Sequence, residues 1–235
     1  MTTRHVLASG TPIQVSGEAT APRAVIVLQE AFGVNDHIRS VTQRFADQGY
    51  YAVAPELFHR IGSPEILYDQ FPDAMAAVGS LTRDGLTDDL LAASRFLADV
   101  GYEAGSTGVV GYCMGGSVTF YAATLGVAGA AATFYGGGVE TGRLGLPSLL
   151  ELAGDLTCAW MGFYGDLDKG IPVEQVEALR VATSTSPYGA EIVRYADAEH
   201  GFNCDGRPAV FNEAAATDAT SRTYQFFAEK LVARA

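Results

Sequence analysis

The stretch Gly108-Val-Val-Gly-Tyr-Cys-Met-Gly-Gly116 restricts what the chain can fold into more than any other. An apolar run stops at a cysteine and a glycine pair opens the next segment, so the sequence predicts a strand that turns sharply into a helix. Gly111-Tyr-Cys-Met-Gly115 has the form Gly-x-nucleophile-x-Gly. Such an elbow holds its central residue in strained backbone geometry, and the flanking glycines let strand and helix approach closely. A helix starting after Cys113 would aim unpaired N–H groups and its positive dipole end at the sulfur, which favours thiolate. The competing reading is a buried structural cysteine beside a tight turn, because free cysteine is commonly buried.

Around this stretch, strand-like and helix-like segments alternate. Residues 1–23 read as short edge strands and turns. Ala24-Val-Ile-Val-Leu28 has the continuous apolar character of a strand buried on both faces. Asn35 or Asp36 can cap a helix to about Gln48, with Ile38, Val41 and Phe45 on one face and Gly49 as its stop. Tyr50 to Ala54 is the next strand, and residues 55–84 read as loops and short helices over a site. A helix follows from Leu86 to Val100, then the strand Thr107–Val110 into the elbow and a helix from Met114 to about Leu125. Ala130–Tyr135 is strand-like, 139–157 reads as loop, and Thr157–Tyr164 is another strand. Pro172 opens a helix to about Ala182. Ala190–Tyr195 is the last strand, and a long helix is expected from near Pro208 to Val232.

Alternation of this kind predicts an α/β fold with a mostly parallel central sheet, right-handed crossovers and helices on both faces. The 235 residues suit one domain, 1–235, better than two. A net charge of −12 argues against a nucleic-acid or anionic-membrane surface, though a pocket can be locally basic. The N-terminus has no signal-peptide pattern and the apolar runs are too short to span a bilayer. Cys113, Cys158 and Cys204 are too few and too widely spaced for a disulfide framework, which fits the cytoplasm. His5, His37, His59 and His200 never fall at His-x3-5-His spacing and no Cys-x-x-Cys occurs, so neither a metal nor a cofactor is expected. The glycines after the strand at Gly108 do not follow Gly-x-Gly-x-x-Gly, which disfavours dinucleotide binding. The sequence leaves the oligomeric state open.

A cysteine nucleophile needs a base, and the base an orienting group. His200, in Ala198-Glu-His-Gly-Phe202, is the one histidine after Cys113 and follows the last strand. Its alternative is a loop histidine near the final helix. Tyr164-Gly-Asp-Leu-Asp-Lys-Gly-Ile-Pro172 lies between them and offers two acids. Asp168, just before the helix that Pro172 opens, is preferred as the orienting acid, with Asp166 supporting the turn. The order nucleophile, acid, histidine is that of the α/β-hydrolase fold, in which the loop holding Gln29-Glu-Ala-Phe-Gly33 supplies one oxyanion-hole amide. Ala31 and Met114 are therefore the expected oxyanion donors. Glu30 would either lie close to the thiol and affect its proton, or face water.

Gln29-Glu-Ala-Phe-Gly-Val-Asn35, Gly111-Tyr-Cys-Met-Gly-Gly116, Phe134-Tyr-Gly-Gly-Gly138, Asp168-Lys-Gly-Ile-Pro172 and Glu199-His-Gly-Phe202 together resemble the dienelactone hydrolase family, in order from about residue 24 onward. The resemblance implies a carboxymethylenebutenolidase-like hydrolase of carboxylic esters or lactones that uses a Cys113-His200-Asp168 triad. It implies too that Glu30 holds the resting thiol and takes its proton when ligand displaces it. One departure bears on the substrate. The family's arginine shortly after the histidine has no counterpart in Gly201-Phe-Asn-Cys204; Arg207 comes later, and neither Arg60 nor Arg83 aligns to the second substrate arginine. Cys204 reads as a loop cysteine, the alternatives being a pocket wall or an oxidative partner of Cys113, and Cys158 reads as core. A ligand-binding or sensing protein on a hydrolase scaffold is the reading from another functional class.

Overall fold

A computed structural model describes residues 2–234; Met1 and Ala235, the ends of the expected domain, lie outside the described residues. In chain order the elements are β1 (Thr3–Val6), β2 (Pro12–Ser16), β3 (Arg23–Leu28), α1 (Asp36–Asp47), β4 (Tyr50–Pro55), α2 (Phe71–Gly79), α3 (Arg83–Asp99), β5 (Thr107–Tyr112), α4 (Met114–Ala122), β6 (Ala130–Phe134), α5 (Leu149–Leu152), β7 (Ala159–Gly165), α6 (Val173–Thr183), β8 (Ala190–Tyr195) and α7 (Glu213–Lys230), with short 3-10 turns between some of them. The strands form one sheet in the order β1-β2-β4-β3-β5-β6-β7-β8. From β4 to β8 every pairing is parallel, while β1 and β2 join antiparallel at one edge.

Strand alternation separates the two helical layers. Tyr50 and Tyr51 point to opposite faces of β4. Tyr50 meets Phe45 of α1 and Phe227 of α7, whereas Tyr51 stacks on Phe96 of α3. Gly108 and Gly111 divide β5 in the same way. A Cβ on Gly108 would sit 2.9 Å from the Phe227 ring, and one on Gly111 would run into Gly115 and Thr119 of α4. The sheet is thus covered by α1 and α7 on one side and by α3 and α4 on the other, as the alternating pattern predicts. Residues with no exposed surface along β3, β5 and β6 explain their continuous apolar runs.

Side-chain caps fix several helix starts. Asn35 accepts from the Ile38 amide at 3.2 Å, and Gly49, at φ 83°, ends that segment. Three expectations are corrected. The final helix starts at Glu213, where Asn212 caps the Ala215 amide at 3.1 Å, and not near Pro208. Before it the amides of Val210 and Phe211 both turn back to the Arg207 carbonyl, so Phe211 is a loop residue. Residues 139–157 are not all loop, because Ser148 and Glu151 form a reciprocal capping box that starts α5. The N-terminal region also holds more than edge strands. Of its first two strands, β1 is an edge of the sheet, whereas β2 is paired on both sides and largely buried.

Candidate active site

Cys113 sits between β5 and α4 with φ 55° and ψ −116°, a left-handed conformation that side chains other than glycine rarely adopt. Neighbouring strands hold it there. Its amide donates to the Phe134 carbonyl at 3.1 Å, and its own carbonyl accepts from Gly116 at 3.0 Å. A Cβ on Gly115 would be 2.5 Å from the Leu28 and Gln29 carbonyl oxygens, and one on Gly116 2.6 Å from the Phe134 oxygen. Only glycine allows α4 to begin this close to the ends of β3 and β6. The amides of Ala31, in the loop after β3, and Met114, at the start of α4, donate no hydrogen bond among the described residues, and both residues are buried.

His200 reaches this turn from the loop after β8. Its Nε2 is 3.1 Å from Cys113 Sγ and its Nδ1 is 2.6 Å from Asp168 Oδ2. The loop is fixed by Phe202, fully buried against Phe134, Tyr135 and Tyr195. Asp168 follows β7, is buried, and accepts the Gly170 amide on its second oxygen at 2.8 Å. Burial works against a charged imidazole here. The electrostatic interaction with Cys113 and the hydrogen bonds to Asp168 and the sulfur outweigh it and raise His200 to about 10. Asp166 faces elsewhere, in a two-pronged ion pair with Arg194 at 2.7 and 2.8 Å.

Glu30 is also buried, but the hydrogen-bond partner of the Cys113 sulfur is His200. Glu30 Oε1 accepts the Tyr135 hydroxyl at 3.1 Å, and Oε2 has no partner. Tyr135, itself at φ 39°, has its pKa pushed up by burial and then by the charge of Glu30, so it stays a phenol able to donate. Sequence reasoning gave Tyr135 no role, although it stands at the end of β6 in the Tyr-Gly-Gly-Gly segment. Glu30, His37 and Cys204 form a buried group in which one ligand-type atom of each lies within 4.8 Å of the others. Cys204 is in the loop after His200, as expected, but turned inward. It is fully buried and donates to Tyr68 Oη at 3.3 Å.

The arginines divide clearly. Arg60 is bound to buried Asp89 at 2.7 Å, and Arg83 lies by the Tyr121 hydroxyl. Arg207 has no carboxylate partner among the described residues; its guanidinium lies 5.7 Å from the Phe32 ring centre and beside Gly201.

A sharp strand–helix turn bearing a thiol, a histidine after the last parallel strand and a mostly parallel sheet define the α/β-hydrolase class. Within it, the sequence profile of the dienelactone hydrolase family matches residues 13–231, and the chain belongs to that family. A Salmonella typhimurium protein provisionally named carboxymethylenebutenolidase is 38% identical over 208 residues, covering 87% of this chain and 76% of that one. The carboxymethylenebutenolidase of Pseudomonas putida is 30% identical over 220 residues, 91% of this chain and 89% of its own length. A crystal structure from Klebsiella pneumoniae, provisionally identified as a dienelactone hydrolase, superposes with a TM-score of 0.88 at 33% identity, over 97% of this chain and 98% of that one.

Proposed function

We propose that this hydrolase cleaves carboxylic esters or lactones with Cys113 as nucleophile, His200 as base and then acid, and Asp168 as the group that orients the imidazole. The observation that carries the reading is the continuous line from Cys113 Sγ through His200 to Asp168, 3.1 and 2.6 Å. Sulfur attacks the carbonyl carbon and the charge that develops on oxygen is taken by the amides of Ala31 and Met114. His200 then gives its proton to the departing alkoxide, which in a lactone stays tethered to the acyl group. A water molecule, deprotonated by the now neutral imidazole, resolves the thioester and releases the carboxylic acid.

Glu30 is assigned to hold the resting thiol and accept its proton as substrate enters, passing it on to His200, so that this one proton is the one the imidazolium later gives to the alkoxide. Its burial, and the Tyr135 bond that anchors one oxygen, support a carboxylate kept for that purpose rather than one facing water. Arg207 is assigned to a substrate carboxylate, because its guanidinium, beside Gly201, has no carboxylate partner among the described residues. The single sheet supports one domain, and three free cysteines support a reducing cytoplasm. No helix among the described residues is long and apolar enough to cross a membrane.

A panel of aryl esters and lactones, with and without a second carboxylate, tests the reading on the unaltered protein, Cys113→Ala and Arg207→Gln. The expected outcome is turnover lowered by a factor on the order of 10⁴ to 10⁶ in Cys113→Ala. Arg207→Gln should raise KM for the carboxylate-bearing substrates alone. Unchanged turnover in Cys113→Ala would overturn the mechanism, and equal losses across the panel in Arg207→Gln would overturn the assignment of that arginine.

A further inference from the structure

The cluster on the far side of Glu30 has more polar atoms than its own hydrogen bonds use. Glu30, His37 and Cys204 are each at least nine-tenths buried, and they come from three separate parts of the chain: the loop after β3, the first turn of α1 and the loop after His200. Two of their atoms, Glu30 Oε2 and His37 Nε2, are buried without a hydrogen-bond partner. An orphaned buried polar atom costs about 1 to 3 kcal/mol, and these two belong to residues that, with Cys204, each bring a ligand-type atom within 4.8 Å of the others.

We infer that Glu30 Oε2, His37 Nε2 and Cys204 Sγ form a binding site for one zinc-class divalent cation. A carboxylate, an imidazole and a thiolate are the donor types that zinc and cobalt(II) accept together, whereas magnesium and calcium call for oxygen alone. Three protein donors leave the fourth tetrahedral position to water. The outer partners are in place as well. His37 Nδ1 lies 2.8 Å from Asp205 Oδ1, the carboxylate–imidazole arrangement that fixes the tautomer and turns Nε2 toward a metal. The Tyr68 hydroxyl is 3.3 Å from Cys204 Sγ and can donate to the sulfur once it is a thiolate.

Asn35, His37, Tyr68 and Asp205 line a cavity of about 420 Å³ that opens beside the cluster. Binding forms the metal–ligand bonds and releases one proton, that of the Cys204 thiol, to solvent. That thiol is fully buried, which disfavours its charged form, so the metal must supply the driving force for its ionisation. A metal ion held here would occupy the carboxylate assigned to the resting thiol and inhibit hydrolysis. That consequence rests on the proposed function, while the binding itself does not.

The test is a titration of chelator-treated protein with cobalt(II), followed by its sulfur-to-metal charge-transfer absorption, with zinc as competitor. The expected result is a band that saturates at one cobalt per chain, disappears on adding zinc, persists in Cys113→Ala and is lost in Cys204→Ser. Asp205→Asn should weaken binding roughly 10-fold or more, as removal of an outer partner does. Absence of the band, or a band that survives Cys204→Ser and vanishes in Cys113→Ala, would overturn the inference. If Cys204→Ser does not fold, X-ray absorption on zinc-loaded Cys113→Ala decides it: one sulfur with nitrogen and oxygen neighbours supports the site, and nitrogen and oxygen alone overturns it. Each readout is independent of ester turnover, so failure of the metal site and failure of the hydrolytic mechanism are separate results.

Discussion

At the scale of single residues, charge pairing separates the two acids after β7. Asp166 and Asp168 are two positions apart, yet Arg194 takes the first with both nitrogens and His200 faces the second. Asp168→Asn should lower kcat by two to four orders of magnitude, since an orienting carboxylate lost from a triad costs about 10⁴. Asp166→Asn should leave kcat within a few-fold and cost stability instead, on the order of 1 kcal/mol for a part-exposed pair. Steady-state kinetics with thermal melts of both variants checks this; the reverse pattern would exchange the roles. The preference for Asp168 could be argued from the sequence because Pro172 marks where the next helix begins. The partner of Asp166 could not, because Arg194 arrives from β8, 28 residues on, through sheet pairing alone. Tyr135 and the inward turn of Cys204 were hidden for the same reason.

Among the elements, β3, β5 and α4 form the unit on which the site depends. Gly115 has no room for a side chain, as its Cβ would meet two carbonyl oxygens at 2.5 Å. Gly115→Ala is expected to push α4 away from β3 and to disturb the Ala31 and Met114 amides together. Activity should fall at least 100-fold, as loss of one oxyanion donor does, with a melting temperature lowered by several degrees. A variant with unchanged melting and kcat would show that the close approach is not required. This unit was legible because its signals are local: apolar runs, a cysteine and closely spaced glycines. The start of α7 was not, since Pro208 offers a plausible first helical position and Asn212 a real cap, and only the turn on the Arg207 carbonyl decides between them. The short α5 is not legible in the sequence, because one capping box in a 19-residue irregular stretch carries no periodicity.

On the scale of the whole molecule, the parallel sheet follows from the alternation of elements, but its antiparallel margin is secured by charge. Burial would push Glu56 up, yet Arg4, Ser63 and Gln14 outweigh burial and hold its carboxyl down at about 2, from an ordinary 4.5. A depressed carboxylate contributes stability that is complete above its unfolded value and is lost as pH falls through the folded one. The melting temperature of Glu56→Gln should therefore lie below that of the unaltered protein above about pH 5, with the gap closing as pH falls toward about 2. A gap that stayed constant across this range would refute the assignment. No sequence pattern joins Arg4 to Glu56, 52 residues apart, so this part of the fold's stability could be read only from the structure. Ionic contacts at the margin and the thiol at the centre meet in one question, which is whether the sheet exists to present Cys113 to a carbonyl. Intact-mass analysis after rapid quenching of the protein with an aryl ester, followed by peptide mapping, answers it most directly. The account predicts an acyl adduct on the peptide containing Cys113, formed with the first burst of aryl alcohol and absent from Cys113→Ala. Steady turnover with the acyl group on another residue, or undiminished turnover in Cys113→Ala, would contradict it.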